Sequence, residues 1–269
     1  MKKLTLVLSV LLVCALLLTS CAQQKDAYDL YIEMTEAMQD VKSADASADI
    51  DMKMIISGEE FDIGIKMDMQ QVVRSETDIE LKADMTIDLG SIGALIGMKE
   101  ISMHMYFVDG FMYYDMLGQK IKMDIDIEEA VEMLNAADFS ASSFKFEKDA
   151  ISSSEVKTVG GDKEISFVLK GEVLNEMLDN FLAPLMQNMG MGDIAINFGD
   201  VSYNALIGKD SLPKEEHMIF AVEIEVMGES ATAEYDMTII NKAFDSIDSI
   251  EFPNFDEYIE MDASAMGLL

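Results

Sequence analysis

The residue types that most often do chemistry are scarce in this chain and stand far apart. Its 269 residues include two histidines, His104 within ISMHMYF and His217 directly after PKEE. Neither belongs to an HExxH or other paired-histidine spacing, and the sequence contains no GxSxG, GxGxxG or P-loop spacing. Both lie on runs of alternating polar and apolar residues, so we expect them at exposed strand positions. The sequence therefore predicts a protein that is not an enzyme and that needs no cofactor.

Carboxylates are the abundant reactive group, with 51 aspartates and glutamates in the chain. Pairs of carboxylates catalyse glycoside hydrolysis, so an acid-dependent hydrolase stays open as an alternative. However, the chain has no tryptophan to form a sugar platform. Its densest acidic runs, 124–129 and 162–164, also lack the DxDxDG pattern of a calcium loop. A dedicated metal site is therefore not predicted.

The net charge of −32 and the presence of only one arginine, Arg74, argue against nucleic acids and anionic lipid surfaces as partners. Nucleic acids and anionic lipid surfaces repel such a chain, and it has no arginine cluster that would bind phosphate. The acidic residues alternate with apolar ones, and 50% of the residues are hydrophobic. We therefore expect a folded domain with an acidic surface. The sequence makes no prediction of the oligomeric state.

Cys21 is the residue with the clearest chemical prediction. It follows two lysines, an apolar run over residues 4–18 and small residues, which is the pattern of a secretory signal peptide. The apolar run is shorter than the roughly 20 residues that a membrane span needs. Leu18-Thr19-Ser20-Cys21 resembles the lipobox of bacterial lipoproteins, in which the cysteine is acylated and becomes the first residue. We therefore expect a signal peptide over residues 1–20 and a lipid anchor at Cys21, on the outer face of the cytoplasmic membrane.

Two periodicities in the sequence, helical spacing and alternation at every second residue, predict the helices and strands that must position any site. Helical spacing from Tyr28 predicts a helix of about four turns, and further helices are predicted at 126–139 and 172–188. A loop is expected at 140–154 and a hairpin at 155–171. Period-two alternation predicts strands at 46–57, 60–74, 76–89, 100–109, 111–117, 200–209, 216–227 and 230–241, with a last strand or extended piece near 247–252.

The predicted links between these strands are short, which favours antiparallel neighbours over βαβ units. The sequence therefore predicts an α+β protein with a large curved antiparallel sheet, an unclosed β-barrel, covered by two or three helices. We interpret residues 28–252 as a single domain between a tether, 21–27, and a C-terminal tail, 253–269.

The alternating strands carry one long apolar face that is rich in methionine. The chain has 24 methionines, and methionine is common on adaptable apolar binding surfaces, whereas rigid cores favour leucine, valine and isoleucine. This face is either a packed core or the lining of a pocket for a hydrophobic ligand. The candidate ligand-binding residues are Met52, Met54, Ile63, Ile65, Met67, Met69, Leu81, Met85, Ile87, Met103, Met105, Phe107, Phe220, Val222 and Ile224.

The insert LGSIGALIGM, residues 89–98, is apolar, uncharged and punctuated by glycines. It has two interpretations that the sequence does not separate. One is a buried loop or short helix. The other is a mobile lip at the mouth of a cavity, or a contact with the membrane to which Cys21 is tied.

The segments YIEMTEAMQDVKSADASADIDMKM (31–54) and FVDGFMYYDMLGQK (107–120) are similar in texture to uncharacterised lipoproteins of the LolA-like superfamily. This group includes outer-membrane lipoprotein carriers and mycobacterial LppX/LprG-type lipoproteins. The resemblance covers most of residues 28–252. It implies an unclosed barrel, closed over by helices, whose apolar hollow holds acyl chains or a lipidated partner. The sequence contains no motif of the carrier proteins whose functional residues could be assigned to positions of this chain.

These observations predict a membrane-anchored extracytoplasmic lipoprotein that binds a lipid or other hydrophobic ligand in a half-barrel. The alternative is a non-catalytic envelope protein with a packed core, which acts as a partner-docking or structural module.

Overall fold

The computed structural model describes residues 25–75, 77–125, 146–175, 194–226 and 229–261. The predicted helix at 126–139 lies outside these residues. Of the helix predicted at 172–188, the described part is residues 171–175, which are helical.

Helix α1, Ala27–Gln39, begins at an aspartate cap and buries one face. The side chain of Asp26 accepts a hydrogen bond from the backbone N–H of Asp29 at 3.0 Å, which satisfies one of the unpaired donors of the first turn. Ala27, Tyr31 and Met34 form the buried face. Their spacing of three to four residues places them on one side of the helix, and the sequence prediction of a helix here is confirmed.

A second short helix and thirteen strands complete the described structure. Helix α2 is Gly90–Ile96. The strands are β1 Ser43–Ile56, β2 Glu59–Ser75, β3 Asp78–Asp88, β4 Glu100–Val108, β5 Phe111–Met116, β6 Gln119–Asp124, β7 Ile151–Val159, β8 Asp162–Leu169, β9 Ile194–Phe198, β10 Val201–Ile207, β11 Pro213–Val226, β12 Glu229–Phe244 and β13 Ile259–Glu260. A 3-10 turn, Lys148–Ala150, precedes β7.

All thirteen strands belong to one curved sheet in the order β13-β6-β5-β4-β3-β2-β1-β12-β11-β10-β8-β7, with β9 also paired to β11. Every pairing is antiparallel except that of β13 with β6. In the described residues the sheet ends at β13 on one side and at β7 on the other, and these two strands are not paired. The prediction of a large, unclosed antiparallel sheet with helices is confirmed.

Several predicted elements differ from the observed ones. Strand β6 was missed because Leu117-Gly118 does not look like a hairpin turn, although both residues have positive φ, 52° and 78°. The predicted loop at 140–154 contains the start of β7, whose serines face solvent at the sheet edge. Strand β9 was also missed. Residues 247–252 form no strand, and the last strand is β13 instead.

Strands β9 and β10 pair in succession along the same edge of β11, with a break at Gly199-Asp200. Two side chains stabilise this break. The carboxylate of Asp200 accepts a hydrogen bond from the backbone N–H of Gly171 at 3.0 Å. The side-chain amide of Asn175 bonds both backbone groups of Phe198, accepting from its N–H at 2.6 Å and donating to its carbonyl at 3.1 Å. Asn175 therefore replaces a strand neighbour at the outer edge of β9.

The inner face of the sheet is the face on which α1 packs, and it holds two separate buried clusters. The α1 cluster joins the buried face of α1 to strands β8, β10, β11 and β12 and includes Phe167, Tyr203, Met218 and Met237. The lower cluster lies on β3 to β6, near the end of the sheet that carries the β2–β3 and β4–β5 turns, here called the lower end. It comprises Ile79, Leu81, Phe107, Met112, Met123 and Ile125.

Residues 245–261, here called the C-terminal strap, follow the central strand β12 and reach the side of the sheet at which β6 lies. Asp245 begins the strap by accepting hydrogen bonds from the backbone N–H groups of Lys42 and Ser43, at 2.6 and 3.2 Å. Further on, Phe255 stacks on Tyr113 of β5 with 3.8 Å between ring centroids. The strap ends as β13 beside β6. Residues 253–261, assigned from sequence to a tail, therefore pack against the sheet.

Arg74 holds the middle of the strap to the lower end of the sheet. Its guanidinium donates to the carboxylate of Glu80 at 2.9 Å and to the carbonyl of Asp248 at 2.8 Å. Glu80 also accepts a hydrogen bond from the backbone N–H of Ile250 at 3.0 Å. The hydrogen bond from Arg74, followed by that from Ile250, lowers the pKa of Glu80 below its ordinary value.

Replacing Glu80 by glutamine is expected to lower the urea midpoint at pH 7 and to change it little in acid. A carboxyl whose pKa is lowered by folding stabilises the native state above its unfolded-state pKa, and this contribution is lost as the pH falls through the folded-state pKa. The difference between wild type and Glu80→Gln should therefore narrow below about pH 4. Urea unfolding followed by circular dichroism across this range measures it. An equal difference at every pH would contradict the assignment.

Candidate functional site

The candidate site is built by cross-strand neighbours in the middle and upper part of the inner face. The upper end of the sheet carries the β1–β2 and β5–β6 turns. There Met52 lies opposite Ile63, Ile65 lies opposite Ile87, and Met67 lies opposite Met85. Side chains directly opposite one another on an antiparallel pair are in contact distance. We call the following set the upper floor: Met52, Met54, Ile63, Ile65, Met67, Met85, Ile87 and Met103.

The upper floor is apolar, but it belongs to neither buried cluster. Its eight side chains are all half-buried. At its upper rim, Ile56, Met116 and Leu117 leave 40%, 46% and 58% of their surfaces exposed. Grouped exposed apolar surface of this kind marks ligand or partner sites in soluble proteins. The floor therefore has the chemistry of a hydrophobic contact surface.

The remaining candidate residues lie around this floor. Leu81 and Phe107 are 1% exposed and form part of the lower cluster, with Met69 and Met105 packed against it. On the other side Phe220 packs against the α1 cluster, and Val222 is buried. Ile224 is half-buried opposite Ile196 of β9. The sequence thus predicted the face of all fifteen residues, and the structure divides them between packed positions and the upper floor. Their role in ligand binding stays a prediction.

A cavity of about 760 Å³ lies near the same strands, and most of the residues that line it are charged or polar. Most of its lining residues project from the outer face, including Asp51, Asp62 and Glu234. Lys66 neutralises part of this charge through an ion pair with Asp49 at 3.3 Å. Among the described residues no group of three or more histidine, cysteine, aspartate or glutamate side chains is placed to hold a metal ion. Met52 and Ile63 of the upper floor also border the cavity, which is therefore a charged depression that lies mainly, but not entirely, on the outer face.

The two histidines lie on the outer face, as the alternation predicted. Nδ1 of His104 is 2.6 Å from Oδ1 of Asp84, its direct neighbour across β3 and β4. Nε2 of His217 is 2.7 Å from Oδ1 of Asp236 on β12. Their side chains are 42% and 34% exposed. Each histidine thus pairs with a neighbouring aspartate on a solvated face of the sheet.

Glu216 is a buried inner-face residue that the sequence analysis missed. It is 3% exposed and accepts a hydrogen bond from the Tyr203 hydroxyl at 2.8 Å. Burial, and then the nearby Glu216 charge, raise the pKa of Tyr203 well above its ordinary value, so the hydroxyl stays a donor. The alternation of PKEEHMIF contained the signal, because Glu216 shares a face with Met218 and Phe220. The pair lies in the α1 cluster, away from the upper floor.

Replacing Tyr203 by phenylalanine is expected to destabilise the protein by about 1–3 kcal/mol, because it removes a donor from a buried carboxylate. Urea unfolding measures the loss. The double variant Tyr203→Phe/Glu216→Gln is the control, since an uncharged amide costs less to leave without that donor. The double variant should recover part of the stability, and a further loss would contradict this account.

The apolar insert at 89–98 contains α2, which ends at Gly97 in the left-handed conformation. A Cβ atom at Gly90 would lie 2.1 Å from the carbonyl oxygen of Asp62, so only glycine fits there. The insert therefore packs closely against β2 near the upper end of the sheet. This placement agrees with the short-helix interpretation, and a role as lip or membrane contact stays a prediction.

The fold and its largely apolar inner face define a class of protein, a single-sheet half-barrel with a hydrophobic inner surface. The chain belongs to a family of unknown function, DUF6612, whose model matches residues 26–255. None of the curated proteins compared with the chain matches it.

Several solved structures are similar to this one. LprF from Mycobacterium bovis has 9% identity and a TM-score of 0.41, with 85% of this chain and 96% of LprF covered. A structure of lipovitellin with lipid has 11% identity and a TM-score of 0.37, over 79% of this chain and 26% of that one. A candidate outer-membrane lipoprotein-sorting domain from Vibrio parahaemolyticus has 8% identity and a TM-score of 0.26, over 86% and 98%.

None of the helices in the described residues is long and apolar enough to cross a bilayer.

Proposed function

We propose that the protein is an exported lipoprotein, anchored to the membrane through acylated Cys21, that binds a lipid or other hydrophobic ligand on its upper floor. The observation that carries the proposal is the upper floor itself. Eight apolar side chains lie side by side on four neighbouring strands, β1 to β4, yet they belong to neither buried cluster of the described residues.

The chemistry of the floor favours a flexible apolar ligand. Five of its eight residues are methionines, whose unbranched side chains adapt to irregular or mobile partners. Each methylene group of an acyl chain that leaves water contributes about 0.8 kcal/mol. A segment of about ten methylene groups would contribute about 8 kcal/mol on this scale, before the cost of immobilising the ligand. This is sufficient for specific binding of a single acyl chain.

The predicted anchor would keep this floor close to a lipid source. Residues 21–26 separate Cys21 from the start of α1, and six extended residues reach at most about 20 Å. An acylated Cys21 would hold the domain within this distance of the bilayer, and two or more acyl chains make such anchoring stable. The acidic surface disfavours adsorption onto anionic headgroups, so the anchor is the expected membrane contact.

The test is native mass spectrometry and solvent extraction of the chain expressed without residues 1–20 and with Cys21 replaced by serine. We expect co-purified acyl chains, and capture of an added fatty acid after delipidation. The alternative function, a packed docking module, is favoured by the tight lower cluster, where Leu81 and Phe107 are fully buried. Absence of both co-purified and added lipid would favour that module and overturn the proposal.

A further inference from the structure

Four methionines of the inner face lie in one line across four neighbouring strands. Met67 of β2 is opposite Met85 of β3, Met85 is opposite Met103 of β4, and Met103 is opposite Met116 of β5. Directly opposed residues of an antiparallel pair have Cβ atoms about 4.5–5.5 Å apart. The four thioethers, here called the methionine row, therefore form a continuous strip that ends at the upper rim.

The methionine row is open to small solutes, in contrast to the methionines of the two packed clusters. Met67, Met85 and Met103 are half-buried, and Met116 is 46% exposed. Met34, Met112 and Met123 lie in the packed clusters and are 0%, 1% and 0% exposed. Because oxidation of a thioether depends on access of the oxidant to sulfur, the two groups should differ in reactivity. The chain thus contains its own reference for a buried methionine.

We propose that the methionine row is a site of reversible oxidation by hydrogen peroxide or a related peroxide. In each event the sulfur lone pair attacks one peroxide oxygen. The S–O bond forms as the O–O bond breaks, and the second oxygen leaves as water after proton transfer. Sulfur is oxidised by two electrons to the sulfoxide, and the peroxide is reduced. A methionine sulfoxide reductase reverses the change, with one enzyme type for each sulfoxide epimer. Two thiols supply the two electrons and two protons and become a disulfide, and the sulfoxide oxygen leaves as water.

The consequence of this modification rests on the proposed function. A sulfoxide is a polar hydrogen-bond acceptor, and burying it against an acyl chain without a donor is unfavourable. Oxidation of adjacent row positions would convert the middle of the upper floor from apolar to polar. The bound acyl chain would then be released, while the packed clusters keep the fold intact. Leucine would also provide an apolar surface but cannot be oxidised in this way, so this response gives a second physical reason, beside adaptability, for methionine at these positions.

The experiment uses the full chain in phosphatidylcholine vesicles, treated with a short pulse of hydrogen peroxide. Peptide mass spectrometry follows the sulfoxide at each methionine, and cross-linking to a photoactivatable fatty acid reports binding. We expect all four row methionines to oxidise about tenfold faster than Met34, Met112 and Met123. Cross-linking should fall in parallel. The quadruple variant M67L/M85L/M103L/M116L should lose no cross-linking during the pulse, measured against its own untreated level.

Each other outcome has a distinct meaning. Equal rates of oxidation in the methionine row and in the packed clusters would show that the row is not a distinct oxidation site. Oxidation of Met116 alone would show the same. Equal loss of cross-linking in wild type and the quadruple variant would place the effect elsewhere in the chain. If the untreated protein captures no fatty acid, the proposed function fails, while the order of oxidation still decides whether the row is a modification site. The variant Met112→Leu is the matched control for a methionine-to-leucine change in a packed cluster.

Discussion

Met67→Asp is expected to weaken the binding of an acyl probe at least about tenfold while the protein stays folded. The side chain lies at the centre of the upper floor, opposite Met85 and beside Ile65. An ionised carboxylate placed against an acyl chain loses water without gaining a partner, and this cost exceeds the 1.4 kcal/mol of a tenfold change. Met67 is half-buried and lies outside both clusters, so the free chain can keep the new carboxylate hydrated. Fluorescent fatty-acid titration measures the affinity, and urea unfolding measures the stability.

Thr86→Asp is the matched control for this experiment. It adds the same charge on β3, one residue from Met85, but on the outer face opposite Lys66. Binding should be unchanged in this variant, and in Met67→Leu, which keeps the volume and polarity of the floor. If Met67→Asp instead unfolds the protein and no variant binds the probe, the floor is a packed core, and the docking module is the correct function.

The faces of the strands were predictable because alternation is a local property. In EFDIGIKMDMQ every second residue from Phe61 to Met69 is apolar, and the structure places these residues on the inner face. A one-residue shift in strand register would turn all of these apolar side chains toward solvent. A long alternating run therefore specifies strongly which face is buried. The histidines followed the same rule, and both lie outside.

The partners of each residue were not predictable in the same way. The methionine row depends on the register of β2, β3, β4 and β5, and therefore on the turns and on the insert at 89–98. Alternation predicts that Met67 and Met85 share a face, but it does not predict that they lie directly opposite one another. The Leu117-Gly118 turn shows the same limit. Leucine seldom adopts positive φ, so the sequence contained no ordinary turn signal before β6.

The buried polar groups were missed for a different reason. Glu216 could not be recognised as buried from the sequence, because glutamate is almost never fully buried without a partner. Its partner, Tyr203, is 13 residues away in sequence and becomes adjacent only when β10 pairs with β11. The C-terminal strap was likewise hidden, because its aromatic residues contact side chains of β4 and β5 more than 130 residues earlier. Such contacts follow from the tertiary fold and leave no local pattern.

Tyr31→Ala is expected to destabilise the protein by about 3–5 kcal/mol, a large part of the 5–15 kcal/mol typical of a domain. Tyr31 is 1% exposed at the centre of the α1 cluster. Its ring centroid lies 4.8 Å from that of Phe146 and 5.5 Å from that of Phe167, the latter edge-to-face. Removing the ring leaves a cavity that rigid strands on one side and α1 on the other cannot close. Urea unfolding followed by circular dichroism measures the change.

The neighbouring helix residue Tyr28 provides the comparison. It is half-buried, its ring centroid lies 6.0 Å from that of Phe146, and its hydroxyl donates to the Phe146 carbonyl at 3.1 Å. Tyr28→Ala should cost only about 1 kcal/mol, because water fills the space that the side chain leaves. The difference between the two variants measures how firmly α1, the first described element after the tether, holds the sheet. Equal losses in both variants would mean that α1 rests on the sheet without closing the α1 cluster.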